Sequence, residues 1–166
     1  MNLEQLRAIQ APLKEKYRQD PGVATITLRA AGALDADSIA CKVDTGRALV
    51  EAGLHPATGG DGSQACSGDM LLEALAACAG VTLKAVATSL GIAIRKGTVH
   101  AEGDLDFRGT LAVDKTAPVG FRDIRLSFDL DTDAAPDQLA TLYKLTERYC
   151  VIYQTLKNPP SLALKA

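Results

Sequence analysis

The chain has 166 residues, 47% of them hydrophobic, yet only 4% aromatic and without Trp. That length suits one domain, spanning 1–166, that can bury a sizeable core built from Ala, Leu, Val and Ile. A formal net charge of −2 leaves no electrostatic footprint for nucleic acid or a membrane surface, so neither is expected as a partner.

The opening stretch, MNLEQLRAIQAPLKEKYRQD, is charged and amphipathic. It lacks the apolar core and small-residue cleavage site of a secretory leader. A cytoplasmic location is therefore expected, with the four cysteines as thiols and not as a disulfide framework. Leu3, Leu6, Ile9 and Leu13 share one face and predict a helix over 3–17, a helical extension within residues 1–20. Asp20-Pro21-Gly22 ends it in a turn.

Short β-like runs follow at 23–29, 38–43 and 48–52, punctuated by Gly32, Gly46, Gly53 and the cluster Gly59, Gly60 and Gly62. That cluster lacks the preceding strand and following Lys of a phosphate loop, and reads as a turn that admits positive φ. From Gly68 to Leu90 the pattern is a helix that is apolar almost all round, charged only at Asp69, Glu73 and Lys84, with Gly91 as its C-cap. A helix of that kind belongs at the centre of a fold. Its most apolar run, 70–79, is interrupted by Glu73 and is too short to span a bilayer.

Strands are predicted at 93–95, 98–107 and 122–130, with an irregular connection over 107–121. Asp131, Asp133 and Pro136 announce a second helix whose apolar side carries Leu139, Leu142, Tyr143 and Leu145. Cys150 falls at its end, Asn158-Pro159-Pro160 breaks the chain, and a final strand is expected at 161–164. Helices and strands in this order indicate an α+β fold.

The residues that could carry chemistry are few. Cys78 lies in the middle of the long helix and Cys150 closes the second, in a chain with two His and no C-x-x-C or H-x-x-x-H spacing. No metal site is expected. Cys41, in an alternating strand, reads as core. Cys66, at a helix start, reads as structural or as an extra redox thiol. It sits roughly 18 Å along the helix from Cys78, too far for an intrahelical disulfide. A thiol is a nucleophile only as thiolate. Cys78 is too deep in its helix for the N-terminus to help it, so it needs a cation from elsewhere in the dimer that the resemblance below implies. Cys150, opening a short helix, looks better placed to ionise.

Gly59-Gly60 with the small-polar loop after it, then MLLEALAAC ending at Cys78, resembles the first signature of the OsmC/Ohr family. The run Cys150-Val151-Ile152-Tyr153-Gln154-Thr155-Leu156 resembles the second, in which the cysteine is followed by Pro-Val and a Leu. The likeness extends from about Val23 to the C-terminus. It implies an intertwined homodimer, with a long buried central helix and a second helix packed between β-sheets. It also implies a thiol-dependent peroxidase for small organic hydroperoxides, in which Cys78 is the peroxidatic and Cys150 the resolving thiol. No cofactor is implied, and the reductant would be an external dithiol. The family's peroxidases hold the first cysteine with an Arg and a Glu. Here the Glu position is Gly68 and the Arg position falls at Asp35 or Ala36. Asp69 matches the acidic residue of other branches, with Glu73 one turn on, and Arg29 and Arg47 are the nearest substitutes for the Arg. Two other readings stand beside the peroxidase: a noncatalytic OsmC-like dimer that binds a small apolar or acyl ligand, and acyl transfer through one thiol. The second would need a base, and no His neighbours either cysteine.

Overall fold

The computed structural model describes residues 2–5, 7–8, 10–11, 19, 31–34, 40–44, 49–112 and 114–165. The predicted strand 23–29, the turn at Asp20-Pro21-Gly22 and the candidate residues Arg29, Asp35, Ala36 and Arg47 lie outside them. Residues 3–5, 7–8 and 10–11 are helical. Asn2 and Gln5 cap that segment reciprocally, the Gln5 N–H donating to Asn2 Oδ1 at 2.8 Å and the Asn2 N–H to Gln5 Oε1 at 3.0 Å.

Three strands follow, β1 (Ala31–Leu34), β2 (Ala40–Asp44) and β3 (Leu49–Gly53), paired antiparallel in the order β1-β2-β3. The two later ones match the predicted runs closely. β1 was read as a break because of Gly32, which instead pairs with Val43 in the ladder. A 3-10 turn, Pro56–Thr58, leads into the glycine cluster. Gly59 and Gly62 have positive φ there, at 98° and 81°. Gly60 serves a different need: a Cβ on it would lie 1.8 Å from the Leu54 carbonyl oxygen.

The long helix α1 (Ser67–Leu90) follows and ends at Gly91, φ 71°. Its buried residues Leu75, Ala79, Leu83, Val86 and Ala87 recur every three or four positions and make one stripe. By length and composition α1 is long and apolar enough to cross a membrane, which the broken run at 70–79 concealed. The core helix of a soluble protein meets the same criterion. β4 (Lys96–Leu105) and β5 (Phe121–Asp131) form a two-stranded sheet, joined through a one-turn helix, Phe107–Thr110. Residues 93–95 are not strand; Arg95 turns into the sheet, its N–H donating to the Asp131 carbonyl at 2.9 Å. Helices α2 (Pro136–Tyr149) and α3 (Val151–Lys157) complete the order. No strand forms at 161–164; that tail is exposed, with Leu162 at 93%. A strand-like sequence acquires a ladder only when it finds an edge to pair with.

The chain divides into two compact units, through both of which α1, β4 and β5 run. Residues 1–26, 74–100 and 126–166 form one, and 27–73 and 101–125 the other. The first holds the core: Leu83, Val86, Ala87 and Ile92 of the α1 region close on Leu142 of α2, with Phe128, Leu130 and Tyr143 packed around them. Phe128 stacks on Tyr143 at 5.6 Å, placing two of the few aromatics there. In the second unit, Phe121 lies over Gly103 of β4, where a Cβ would meet the ring at 2.5 Å. A β3-linked segment, tied by the Gly53 N–H to the Ala65 carbonyl and the Ala65 N–H to the Glu51 carbonyl, both 3.0 Å, delivers the chain to the start of α1.

Candidate active site: two thiols at a helix junction

Between α2 and α3 there is a single residue, Cys150. It caps the end of α2, its N–H donating to the Thr146 carbonyl at 2.9 Å, and it also precedes the first turn of α3, its carbonyl accepting from Gln154 at 2.9 Å. With φ −71° and ψ 110° it is extended where both neighbours are helical. The kink leaves the first N–H groups of α3 without intrahelical acceptors. Cys150 itself is fully buried, 0% exposed, as are Leu142 and Thr146 on α2. The Thr146 hydroxyl is satisfied by the Leu142 carbonyl at 2.8 Å, so this stretch of helix carries no loose polar group into the core.

The half-buried Cys78, on α1, meets this junction. Both cysteines are free thiols. Burial pushes the Cys78 thiol up, but the donors around its sulfur win and hold it below the usual thiol range: the Ile152 N–H, the Cys150 S–H, the Val151 N–H and the Thr82 hydroxyl. Hydrogen bonds to an ionised group are worth about 1.5–3 kcal/mol each, so a few of them outweigh partial desolvation. Burial also pushes the Cys150 thiol up, and its bond to Cys78 adds to that; the N–H groups of Tyr153 and Ile152 oppose it without prevailing. The two sulfurs thus have opposite biases, one towards thiolate and one towards the protonated donor.

Two expectations from sequence bear on this arrangement. The first is the cation, expected from elsewhere in a dimer and so outside the described residues; among these no Arg or Lys contributes to the Cys78 sulfur, and its donors are uncharged. The second concerns Cys150: opening a short helix does not make it the thiolate, because burial and its neighbour thiol outweigh the backbone donors.

The remaining candidates lie elsewhere. Asp69 is exposed in the first turn of α1, nine residues before Cys78, and Glu73 is exposed one turn on. Cys66, a half-buried free thiol, precedes α1 in the other unit. Cys41 falls in β2, and its side chain lies outside the described set. His55 caps the 3-10 turn through Nδ1, which accepts from the Ala57 N–H at 3.0 Å, and stacks on Phe107. His100 pairs with Asp129 across the β4–β5 sheet at 2.9 Å. Among the described residues no three His, Cys, Asp or Glu side chains gather to hold a metal. A cavity of about 440 Å³ reaches Cys150, lined by Arg148, Tyr149, Val151, Gln154 and Thr155 among others.

The family model described as OsmC-like protein matches residues 60–165, from the glycine cluster through both cysteine-bearing helices. The chain belongs to the OsmC-like family. Solved structures agree on the fold. An OsmC-like protein from Mycoplasma pneumoniae is similar at TM-score 0.66 and 18% identity, over 81% of this chain and 89% of that one. An OsmC-like protein from Vibrio cholerae matches at TM-score 0.65 and 13% identity, over 79% and 94%. An organic hydroperoxide resistance protein from Elizabethkingia anophelis matches at TM-score 0.65 and 15% identity, over 81% and 91%. Identities this low make the chain a divergent member. No curated protein matches it.

In this OsmC-like chain the sequence reading named the two cysteines but missed what polarises them. The N–H groups of Val151 and Ile152 have no side-chain signature. Thr82 does: it stands four residues after Cys78, one helical turn on and on the same face.

Proposed function

We propose that the protein is a thiol-dependent peroxidase that reduces organic hydroperoxides through Cys78 and Cys150. The observation that carries this reading is the meeting of two free thiols with opposite proton affinities at one helix junction. Membership of a family that includes organic hydroperoxide resistance proteins supports it. In the first step the Cys78 thiolate attacks the terminal oxygen of R–O–O–H. An S–O bond forms, the O–O bond breaks, and the alkoxide leaves as alcohol after taking a proton. Cys78 becomes a sulfenic acid, oxidised by two electrons. In the second step the Cys150 sulfur, losing its proton, attacks the sulfenic sulfur. Water leaves and a Cys78–Cys150 disulfide forms, which an external dithiol returns to two thiols.

The assignment of roles follows the biases. The nucleophile is the sulfur biased towards thiolate, and the resolving sulfur is the one biased towards keeping its proton. The reading includes a second copy of the chain, for which the apolar α1 with Val81 74% exposed and the unpaired tail at Leu162 are the supporting features. It also includes a cytoplasmic site of action, and leaves Asp69 and Arg29 as further site residues that such a dimer would gather.

The test is turnover of cumene hydroperoxide with dithiothreitol by the wild type and by Cys78→Ser and Cys150→Ser, with thiols mapped by mass spectrometry after one equivalent of peroxide. The reading expects a Cys78–Cys150 disulfide in the wild type. It expects a trapped sulfenic acid on Cys78 in Cys150→Ser, and no oxidation at the junction in Cys78→Ser. Thiols that survive the peroxide unchanged would overturn it in favour of a ligand-binding OsmC-like protein.

A further inference from the structure

One residue joins α2 to α3, so the two backbone dihedrals of Cys150 set the angle between them. α3 has seven residues, and no fully buried side chain anchors it; a helix so short is marginal on its own. Among the described residues two side-chain bonds cross the junction, and both reach Glu147 of α2. The Gln154 Nε2 donates to the Glu147 carbonyl at 2.8 Å, in a half-buried setting. The Lys157 ammonium pairs with the Glu147 carboxylate at 2.5 Å, exposed on both sides. In a continuous helix the Glu147 carbonyl would accept the Val151 N–H. The extended Cys150, ψ 110°, breaks that register, and the Gln154 side chain takes the vacated acceptor. The Gln154 amide is engaged at both ends, since its Oε1 accepts from the Asn158 Nδ2 at 3.2 Å.

We infer that Gln154 is a positioning residue for Cys150: by closing on the Glu147 carbonyl it holds the angle between α2 and α3, and with it the placing of the Cys150 sulfur. Of the two cross-junction bonds, this one carries the angle. An exposed ion pair between long side chains contributes little net energy. The Glu147 carbonyl is a backbone acceptor stripped of its helical donor, and leaving it unpaired in a half-buried place is costly. Opening the angle would incur that cost, while the ion pair could lengthen almost freely. A resolving thiol must stand ready beside the sulfur it will attack, and holding it there in advance raises its effective concentration. Cys150 is fully buried, so its placing is set by the backbone at the junction and not by free side-chain motion.

The role in resolving a sulfenic acid rests on the peroxidase reading, but the test does not. Wild type and variants would be equilibrated with mixtures of reduced and oxidised glutathione, and the Cys78–Cys150 disulfide quantified by mass spectrometry after acid quenching. In that exchange two protein thiols give up two electrons and two protons, and one glutathione disulfide becomes two thiols. Gln154→Met keeps the length and removes the donor. It is expected to lower the equilibrium constant for the disulfide about tenfold, the factor one net hydrogen bond can carry, which makes the potential about 30 mV less negative. Gln154→Lys, which keeps a donor of similar reach, is expected to restore the wild-type value. Lys157→Met should shift it less than about threefold. Thr141→Val, which loses an ordinary bond within α2 to the Asp137 carbonyl, should not shift it. Gln154→Glu, an acceptor of the same shape, gives the same comparison if the methionine variant does not fold. An equilibrium constant unmoved by loss of the donor overturns the inference, as does a Lys variant that behaves like the Met. A Gln154 effect in a protein that does not consume cumene hydroperoxide would sink the peroxidase reading and leave the Gln154 assignment standing. Peroxide turnover with an unmoved equilibrium would do the reverse.

Discussion

The junction of α2 and α3 and the β4–β5 hairpin handle charge in opposite ways. The hairpin is laced with ion pairs: Arg95 grips Asp131 and Asp133, Arg125 grips Asp104 and reaches Glu102, and Arg108 holds Asp106 with Arg122 nearby. All these Arg side chains are more than half exposed. Pairs in that setting trade Coulomb attraction against side-chain entropy and solvent screening, so they contribute little to stability. At the junction no described ion pair stands beside the thiols, and uncharged groups set their proton affinities. Uncharged donors at a half-buried sulfur act where screening is weak. Charge is thus set by ion pairs in one region and by uncharged donors in the other.

That contrast can be broken from either side. The largest effect is expected from Cys78→Ser, which should lower peroxide turnover on the order of a thousandfold or more, since it removes the nucleophile itself; a steady-state assay with cumene hydroperoxide reads it. Next comes the packing beneath the junction. Leu142 is fully buried against Leu83, Val86 and Ala87, and Leu142→Ala should cost about 2–5 kcal/mol in a urea titration. In the hairpin, the sensitive position is a glycine and not a charge. Gly103→Ala places a Cβ 2.5 Å from the Phe121 ring, which should cost about 1–3 kcal/mol by the same titration. Arg125→Ala should be the mildest, with a melting temperature near wild type and unchanged alkylation of Cys78. If Arg125→Ala slowed Cys78 alkylation about tenfold, the comparison would fail.

Much of this architecture was legible in the residues. The 23-residue apolar run from Gly68 to Leu90 gave α1 to within one residue because Gly91 supplies the positive φ that ends it. Pro136 and the Leu139-Leu142-Tyr143 pattern placed α2, and Cys150 was correctly set at the boundary of two helices. Local signals decide such elements. The failures came where pairing or burial decides. Gly32 looked like a break, but a ladder partner makes it strand. The tail at 161–164 alternates like a strand and has no partner among the described residues. At the site, sequence could name both thiols but left open which of them is the more easily ionised. Proximity to a helix start argued for Cys150, whereas the fold buries Cys150 and turns the free N–H groups of α3 on Cys78. That exchange depends on two helices meeting, which no local pattern encodes.

The central claim is that Cys78 is the more acidic thiol and Cys150 the less acidic one. A lowered acid pKa means Cys78 becomes reactive as pH rises through a midpoint below the ordinary thiol value of about 8.5, while Cys150 stays protonated until pH passes above it. Site-resolved alkylation with iodoacetamide across pH 5 to 10, under mild denaturant-free conditions, measures both midpoints in one molecule. The account predicts Cys78 below and Cys150 above the ordinary value. Coincident midpoints, or Cys150 reacting first, would contradict it.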